Sequence, residues 1–271
     1  MNLQADLHTH TVHSDGVLTV KQLFDKAKKA GFSGFSITDH DTLSGVVEGL
    51  TLIDNYNFKF LTGVELTTHV EDKEIHLLSY GVDPYHEELN AKLISLQKSR
   101  EKRAEIIVSK LANYDINLDM DVIKKKAKGA SITRPHIAKE MLEGGYVKNF
   151  KEAFDVYIGD NLPAFEGKEK FDIVDAIRLV HEAGGKTVVA HPNKYVTKEE
   201  MRFMIKNGLD GIEVLHPSHN EHHIRYWRRW CIENKLIATG GSDYHGSRPY
   251  DEDNFGRWKV NVEVIEKLLN K

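Results

Sequence analysis

The chain has 271 residues, enough for one large domain or a domain with an insertion and for a sizeable buried core. Its 37 Lys and Arg against 41 Asp and Glu give a net charge of −4. That balance provides no global field for nucleic acid, so any such partner would be held by a local patch. A single cysteine, Cys231, excludes an internal disulfide, and with no export signal in view a cytoplasmic location is expected. No apolar run approaches the ~20 residues of a membrane span.

Strand and helix then alternate. Gln4 to His8 reads as a short strand, and Thr19 to Ala30 as an amphipathic helix with Leu23, Phe24 and Ala27 inward, stopped by Gly31. Phe35 to Thr38 is a strand, Leu43 to Asn55 a helix, and Lys59 to Val70 and Glu74 to Val82 are strands. Further on, the helix Ile173 to Ala183 ends at Gly184-Gly185 and the strand Lys186 to Ala190 follows. Helix Glu199 to Asn207, strand Gly211 to Leu215, helix Glu221 to Asn234 and strand Leu236 to Thr239 complete the series. Alternation of this kind predicts a parallel sheet, and this many repeats in one domain an α/β barrel of seven or so strands. Cys231, within Trp227 to Ile232, reads as a packing thiol on an aromatic helix face.

Between about Pro84 and Phe171 the rhythm breaks. A charged helix spans Glu87 to Leu111, Lys124-Lys125-Lys126 follows, Thr133-Arg134-Pro135-His136-Ile137-Ala138 opens another helix, and Phe150 to Tyr157 reads as helical. The expected division is a barrel of residues 1–83 and 172–271 with a mostly helical insertion, 84–171, capping its mouth. The lysine triplet is ordinarily a solvated helix face, although it would also suit the backbone of a short single strand.

Histidines and carboxylates gather at the predicted strand ends: His8 and His10, Asp15, Asp39-His40-Asp41, Glu65, His76, His191, and Asp243 with His245. His8 and His10, two apart on extended chain, face the same side and could chelate one ion. Taken singly, each position has a plain reading, Glu65 as a strand-end residue or His76 as a hydrogen-bonded core histidine. Taken together, the burial of so many polar groups would be costly without a ligand. Imidazole and carboxylate form the donor set of zinc, manganese or iron, and there are too many for one ion. Carboxyl ends of strands are also where barrel enzymes carry their sites. The implied chemistry is attack by a metal-activated hydroxide. His13, His69, His86, His181, His222 and His223 are expected to be surface or structural.

These motifs, His8 to Gly16, Thr38 to Asp41, Glu65, His76, Ala190-His191-Pro192 and Gly241 to Gly246, resemble the signature of the polymerase and histidinol phosphatase (PHP) superfamily over nearly the whole chain. The resemblance implies a distorted seven-stranded α/β barrel with two or three divalent ions, manganese, zinc, iron or magnesium. On that pattern His8, His10, Glu65 and Asp243 hold one ion. Glu65 bridges to a second with His76 and His191, and Asp15, His40 and His245 hold a third. Aspartate at position 15, where some relatives place histidine, would make that third site harder.

The motif Thr133 to Ala138, with Glu213-Val214 and Pro217-Ser218-His219, resembles the PHP phosphoesterases of nucleoside 3′,5′-bisphosphates and of the 5′ ends of short RNA. The resemblance therefore implies a small nucleotide or a short single-stranded oligonucleotide as substrate, with no obligate protein partner. Arg134 offers a planar fork for phosphate, just at a helix start that itself favours an anion, and is otherwise a surface arginine. His219 is expected as general acid, phosphate donor or structural residue. Ser218, Asn193 and Lys194 are candidate substrate contacts, Lys194 being equally a solvated lysine, and Glu213 could face the site behind the ligands. The alternatives are a histidinol-phosphatase-like phosphomonoesterase, a polymerase-associated proofreading module, or a metal-binding regulator without turnover.

Overall fold

A computed structural model describes residues 3–127, 132–167, 169–193 and 195–270. The chain forms two compact units, Met1–Ala91 with Lys170–Lys271, and Lys92–Glu169.

The first unit is built on one sheet. Its strands are β1 (Gln4–Asp6), β2 (Gly34–Ile37), β3 (Lys59–Val70), β4 (Lys73–Tyr80), β5 (Lys186–Val189), β6 (Gly211–Leu215), β7 (Ile237–Gly240) and β8 (Val260–Asn261), in the order β7-β6-β5-β4-β3-β2-β1-β8. Past the regular strands the sheet nearly closes on itself. Leu7 N–H donates to Gly240 O at 3.3 Å, His10 N–H to Tyr244 O at 2.9 Å, and Thr9 bridges Tyr244 in parallel. The barrel expected from the alternating pattern is present, with two departures. β4 runs antiparallel to both β3 and β5, because only Glu71 and Asp72 separate the paired residues Val70 and Lys73. Two residues allow a hairpin but no crossover. The eighth strand, β8, pairs antiparallel with β1 and is too short to carry a sequence period.

The described residues also form α-helices. In chain order they are α1 (Val20–Lys29), α2 (Ser44–Leu52), α3 (Glu87–Ala112), α4 (Met120–Ala127), α5 (Arg134–Glu143), α6 (Phe150–Glu152), α7 (Ile173–Glu182), α8 (Lys198–Lys206), α9 (Glu221–Asn234), α10 (Asp251–Asn254) and α11 (Glu263–Leu269). Thr19 and Thr197 begin α1 and α8 as capping boxes with Gln22 and Glu200, so the first amides of each helix are satisfied from within. α1 buries Val20, Leu23, Phe24 and Ala27, and the Phe24 ring makes edge contacts with Phe35, Phe58 and Phe60. Inside the barrel, Leu7, Leu61, Leu78, Tyr80, Val188 and Ala190 form the core, and the fully buried Tyr80 hydroxyl donates to Leu7 O at 2.8 Å. That apolar plug leaves the polar side chains to the carboxyl ends of the strands.

The second unit has its own core, drawn from Ile107, Leu111, Ile123, Ile137, Met141 and Ile158 among others. The segment read as helical from Phe150 is α6 followed by one π-helical stretch, Ala153–Ile158. None of the described helices is long and apolar enough to cross a membrane.

Candidate metal centre

Each strand end presents its side chains through a local device. Asp6, fully buried on β1, accepts the amides of His8 at 3.3 Å and Ser242 at 2.9 Å, tying the end of β1 to the segment after β7. Burial pushes its carboxyl up to about 7 against those hydrogen bonds. A Cβ on Gly241 would stand 2.4 Å from His8 N, so only glycine lets the two segments approach. Asp39 accepts the amide and hydroxyl of Thr11 and the hydroxyl of Ser14, each at 2.7 Å, which shapes the loop that delivers Asp15. Asp41, His191, Asn193 and Asp243 all have positive φ, 51°, 28°, 21° and 50°. These four, among eight such non-glycine residues described, put strained backbone after β2, β5 and β7.

The side chains converge on Glu65, which is 1% exposed. Among the described residues five imidazoles reach it, and its two oxygens divide them. Oε1 faces His76 Nδ1 at 2.9 Å and His191 Nε2 at 3.1 Å. Oε2 faces His8 Nε2 at 3.2 Å, His40 Nδ1 at 3.3 Å and His10 Nε2 at 3.4 Å. Asp243 Oδ1 lies 3.1 Å from His10 Nε2 and 3.3 Å from His8 Nε2. On the other side Asp15 Oδ1 meets His245 Nε2 at 3.2 Å, and Asp15 Oδ2 is 3.9 Å from His40 Nε2. Among the described residues four overlapping groups of ligand atoms result: His8, His10, Glu65 and Asp243; His40, Glu65 and His76; His10, Asp15, His40 and His245; and His8, Glu213 and His216.

The donor chemistry fits divalent cations. Both ring nitrogens of the fully buried His10, and Nδ1 of His40, have no hydrogen bond of acceptable geometry. Buried polar atoms of that kind are costly unless a ligand completes them. Tautomers are set for coordination as well. His8 donates Nδ1–H to Glu213 at 2.9 Å, and His245 donates Nδ1–H to Asp243 O at 2.8 Å, so in each Nε2 is the nitrogen left for a cation, and that of His245 lies 3.1 Å from Arg248 Nη2. Burial opposes charge on Glu65, Asp243 and Asp15, yet the imidazoles around them hold all three carboxyls well below the usual range. Burial, with His245 close by, lowers His10 to about 4, which keeps it a neutral donor near neutral pH. His76 goes the other way: burial would lower it, but Glu65 and Glu74 raise it to about 10.

A family model of the PHP domain matches residues 6–161, more than half of the chain. The chain belongs to the PHP domain family. It is 34% identical over 250 residues to a 5′-3′ exoribonuclease of Haemophilus influenzae, covering 90% of this chain and 91% of that one. It is 28% identical over 247 residues to a 3′,5′-nucleoside bisphosphate phosphatase of Chromobacterium violaceum, covering 89% and 86%. Among solved structures, a protein of Bifidobacterium adolescentis described as a metal-dependent phosphoesterase superposes with a TM-score of 0.88 at 29% identity, over 98% of this chain and 95% of its own. This PHP chain is accordingly a hydrolase of the phosphoesterase class.

All nine ligand candidates read from the sequence stand in this PHP centre. Two further residues touch it that the sequence reading passed over. His216, just after β6, is 3.4 Å from Asp243 Oδ2, and Arg248 donates Nη1–H to the same oxygen at 2.8 Å. Glu213 is tied in behind the ligands, accepting the amide of His191 at 2.8 Å beside its bond to His8. His219 stands on the loop after β6, buried. It donates Nδ1–H to Val214 O at 2.9 Å and accepts the Asn193 amide at Nε2 at 3.0 Å, and burial lowers it to about 4. Both nitrogens are engaged, and the ring ties the Asn193 amide to the loop after β6. Ser218 is exposed and bonded to His216. Arg134 belongs to the second unit, where Nη1 donates to Asp160 at 2.7 Å and Ile158 O at 3.1 Å. Lys194 lies outside the described residues. Cys231 is buried and its thiol is pushed up to about 12, which suits packing.

Proposed function

We propose that this PHP phosphoesterase hydrolyses phosphate esters of nucleotides, either a nucleoside 3′,5′-bisphosphate or the 5′ end of a short oligoribonucleotide. The observation that carries the chemistry is the division of five imidazoles between the two oxygens of Glu65, a geometry in which one carboxylate can serve two cations. The substrate class is supported by the exoribonuclease and bisphosphate phosphatase relatives.

In this reading His8, His10, Glu65 and Asp243 hold one divalent ion, Glu65, His76 and His191 a second, and Asp15, His40 and His245 a third. Manganese, zinc, iron and magnesium all suit this mixed donor set. Such ions supply Lewis acidity toward the phosphoryl group and a water acidified near neutral pH. The protein's own part is to fix the donors. Glu213 keeps His8 in the Nε2-coordinating tautomer, and His219 holds the strained turn at Asn193, a proposed substrate contact along with Ser218. Arg134 is the proposed anion contact, through the guanidinium donors that Asp160 and Ile158 leave over.

The experiment is a side-by-side assay of manganese-loaded protein on adenosine 3′,5′-bisphosphate, a 5′-phosphorylated RNA trimer and histidinol phosphate. Turnover of either nucleotide substrate is expected, and their ratio separates phosphatase from exonuclease. Turnover of histidinol phosphate alone would replace the nucleotide reading with that of a small phosphomonoesterase.

A further inference from the structure

His216 differs from His8 and His245 in one respect: where its proton sits. His8 and His245 each give up Nδ1–H to an oxygen of the protein. His216 Nδ1 instead lies 3.0 Å from the backbone nitrogen of Ser218 and 2.8 Å from its hydroxyl. A backbone amide can only donate, so Nδ1 accepts, and the proton of the neutral ring is on Nε2. That nitrogen is buried, has no hydrogen bond of acceptable geometry, and faces Asp243 Oδ2 at 3.4 Å. Oδ2 already receives Arg248, while Oδ1 points between His8 and His10.

His8, Glu213 and His216 also gather closely enough to suggest a separate cation site. Their atoms argue otherwise. His8 Nδ1 is bonded to Glu213 Oε1, Glu213 Oε2 accepts the His191 amide, and a protonated Nε2 has no lone pair to offer.

We propose that His216 is a positioning residue for Asp243. Its Nε2–H and Arg248 Nη1 both engage Oδ2, so that Asp243 presents Oδ1 alone to a cation beside His8 and His10. At 3.4 Å the contact is longer than an ordinary hydrogen bond and acts as a charge–dipole contact on Oδ2. The inference rests on the reading of Asp243 as a cation ligand.

Two measurements test it. In zinc-loaded protein with ¹⁵N-labelled histidine, the long-range ¹H–¹⁵N spectrum should place the His216 proton on Nε2; a proton on Nδ1 overturns the proposal whatever the substrate is. Zinc affinity by chelator competition should fall about 10–100-fold in His216→Phe. His216→Gln, whose amide can donate from near the Nε2 position, should stay within about 3-fold of wild type. Equal affinity in wild type and His216→Phe overturns the proposal. A wild-type chain that takes up no zinc, manganese or iron removes the ligand reading beneath it, a distinct result. If His216→Phe does not fold, the tautomer in the wild-type protein decides alone.

Discussion

Glu213 accepts the Nδ1–H of His8 at 2.9 Å, and both side chains are fully buried. With its other oxygen Glu213 takes the backbone amide of His191, so one carboxylate on β6 aligns ligand candidates from the ends of β1 and β5. Burial alone would lower the His8 pKa, but Glu213, Glu65 and Asp243 hold it well above its ordinary value. Such a pair fixes a tautomer and raises the basicity of the coordinating nitrogen.

Removing that partner should therefore weaken cation binding without abolishing the centre. Glu213→Ala is expected to lose about 10–100-fold in metal affinity, and Glu213→Gln less, since its amide oxygen can still accept from His8. Calorimetric titration with manganese or zinc reads this directly. Unchanged affinity in Glu213→Ala would mean that His8 does not coordinate.

Glu65 is the common neighbour of five imidazoles among the described residues. Glu65→Ala should cost more than any single histidine variant, with a fall in kcat/KM beyond about 100-fold, more than an outer partner's loss. Bound metal per chain should drop as well, by more than one site's worth. Loss of a single ion with the rest retained would show that Glu65 serves one site only.

At the amino end of β6, Asp210 offers a stability test. It meets His181 at 2.7 Å, Lys186 at 3.1 Å and the Thr187 amide at 2.9 Å. Burial opposes its charge, but these partners hold its carboxyl below the ordinary value. A depressed folded pKa means that the unfolded chain binds more protons. The stabilisation is therefore complete above the unfolded value of about 3.9 and is lost as pH falls through the folded one. Asp210→Asn should cost about 1–2 kcal/mol near neutral pH. Denaturant melts of the two proteins should draw together below pH 4, and a difference independent of pH would contradict the charge argument.

Most of the barrel was legible because its strands are apolar runs separated by helices, and Thr19 and Gly31 mark their own boundaries, whereas the cap at Thr197 lies ahead of the start read at Glu199. The reversal of β4 was not, since a period-two pattern is the same in either direction and only the two-residue turn at Glu71-Asp72 betrays it. The ligand candidates were legible as a set through chemistry at strand ends. His216 obeys the same rule as His191, a histidine directly after a strand, but it was eclipsed by the Pro217-Ser218-His219 motif beside it. Arg248 carries no such mark: an arginine in a polar loop looks solvated until the fold returns it to Asp243. His219 was legible by residue type, and the fold adds the two partners of its ring, Val214 O and the Asn193 amide.

The central claim is that a cation centre around Glu65 carries out phosphate ester hydrolysis. Its most direct test is phosphate and nucleotide release from adenosine 3′,5′-bisphosphate and a 5′-phosphorylated RNA trimer by protein stripped with a chelator and then reloaded with manganese, with metal per chain measured in the same samples. Turnover should vanish on stripping and return as two or three ions bind. Equal turnover by stripped and reloaded protein, or full metal loading with no hydrolysis of either substrate, would contradict the account.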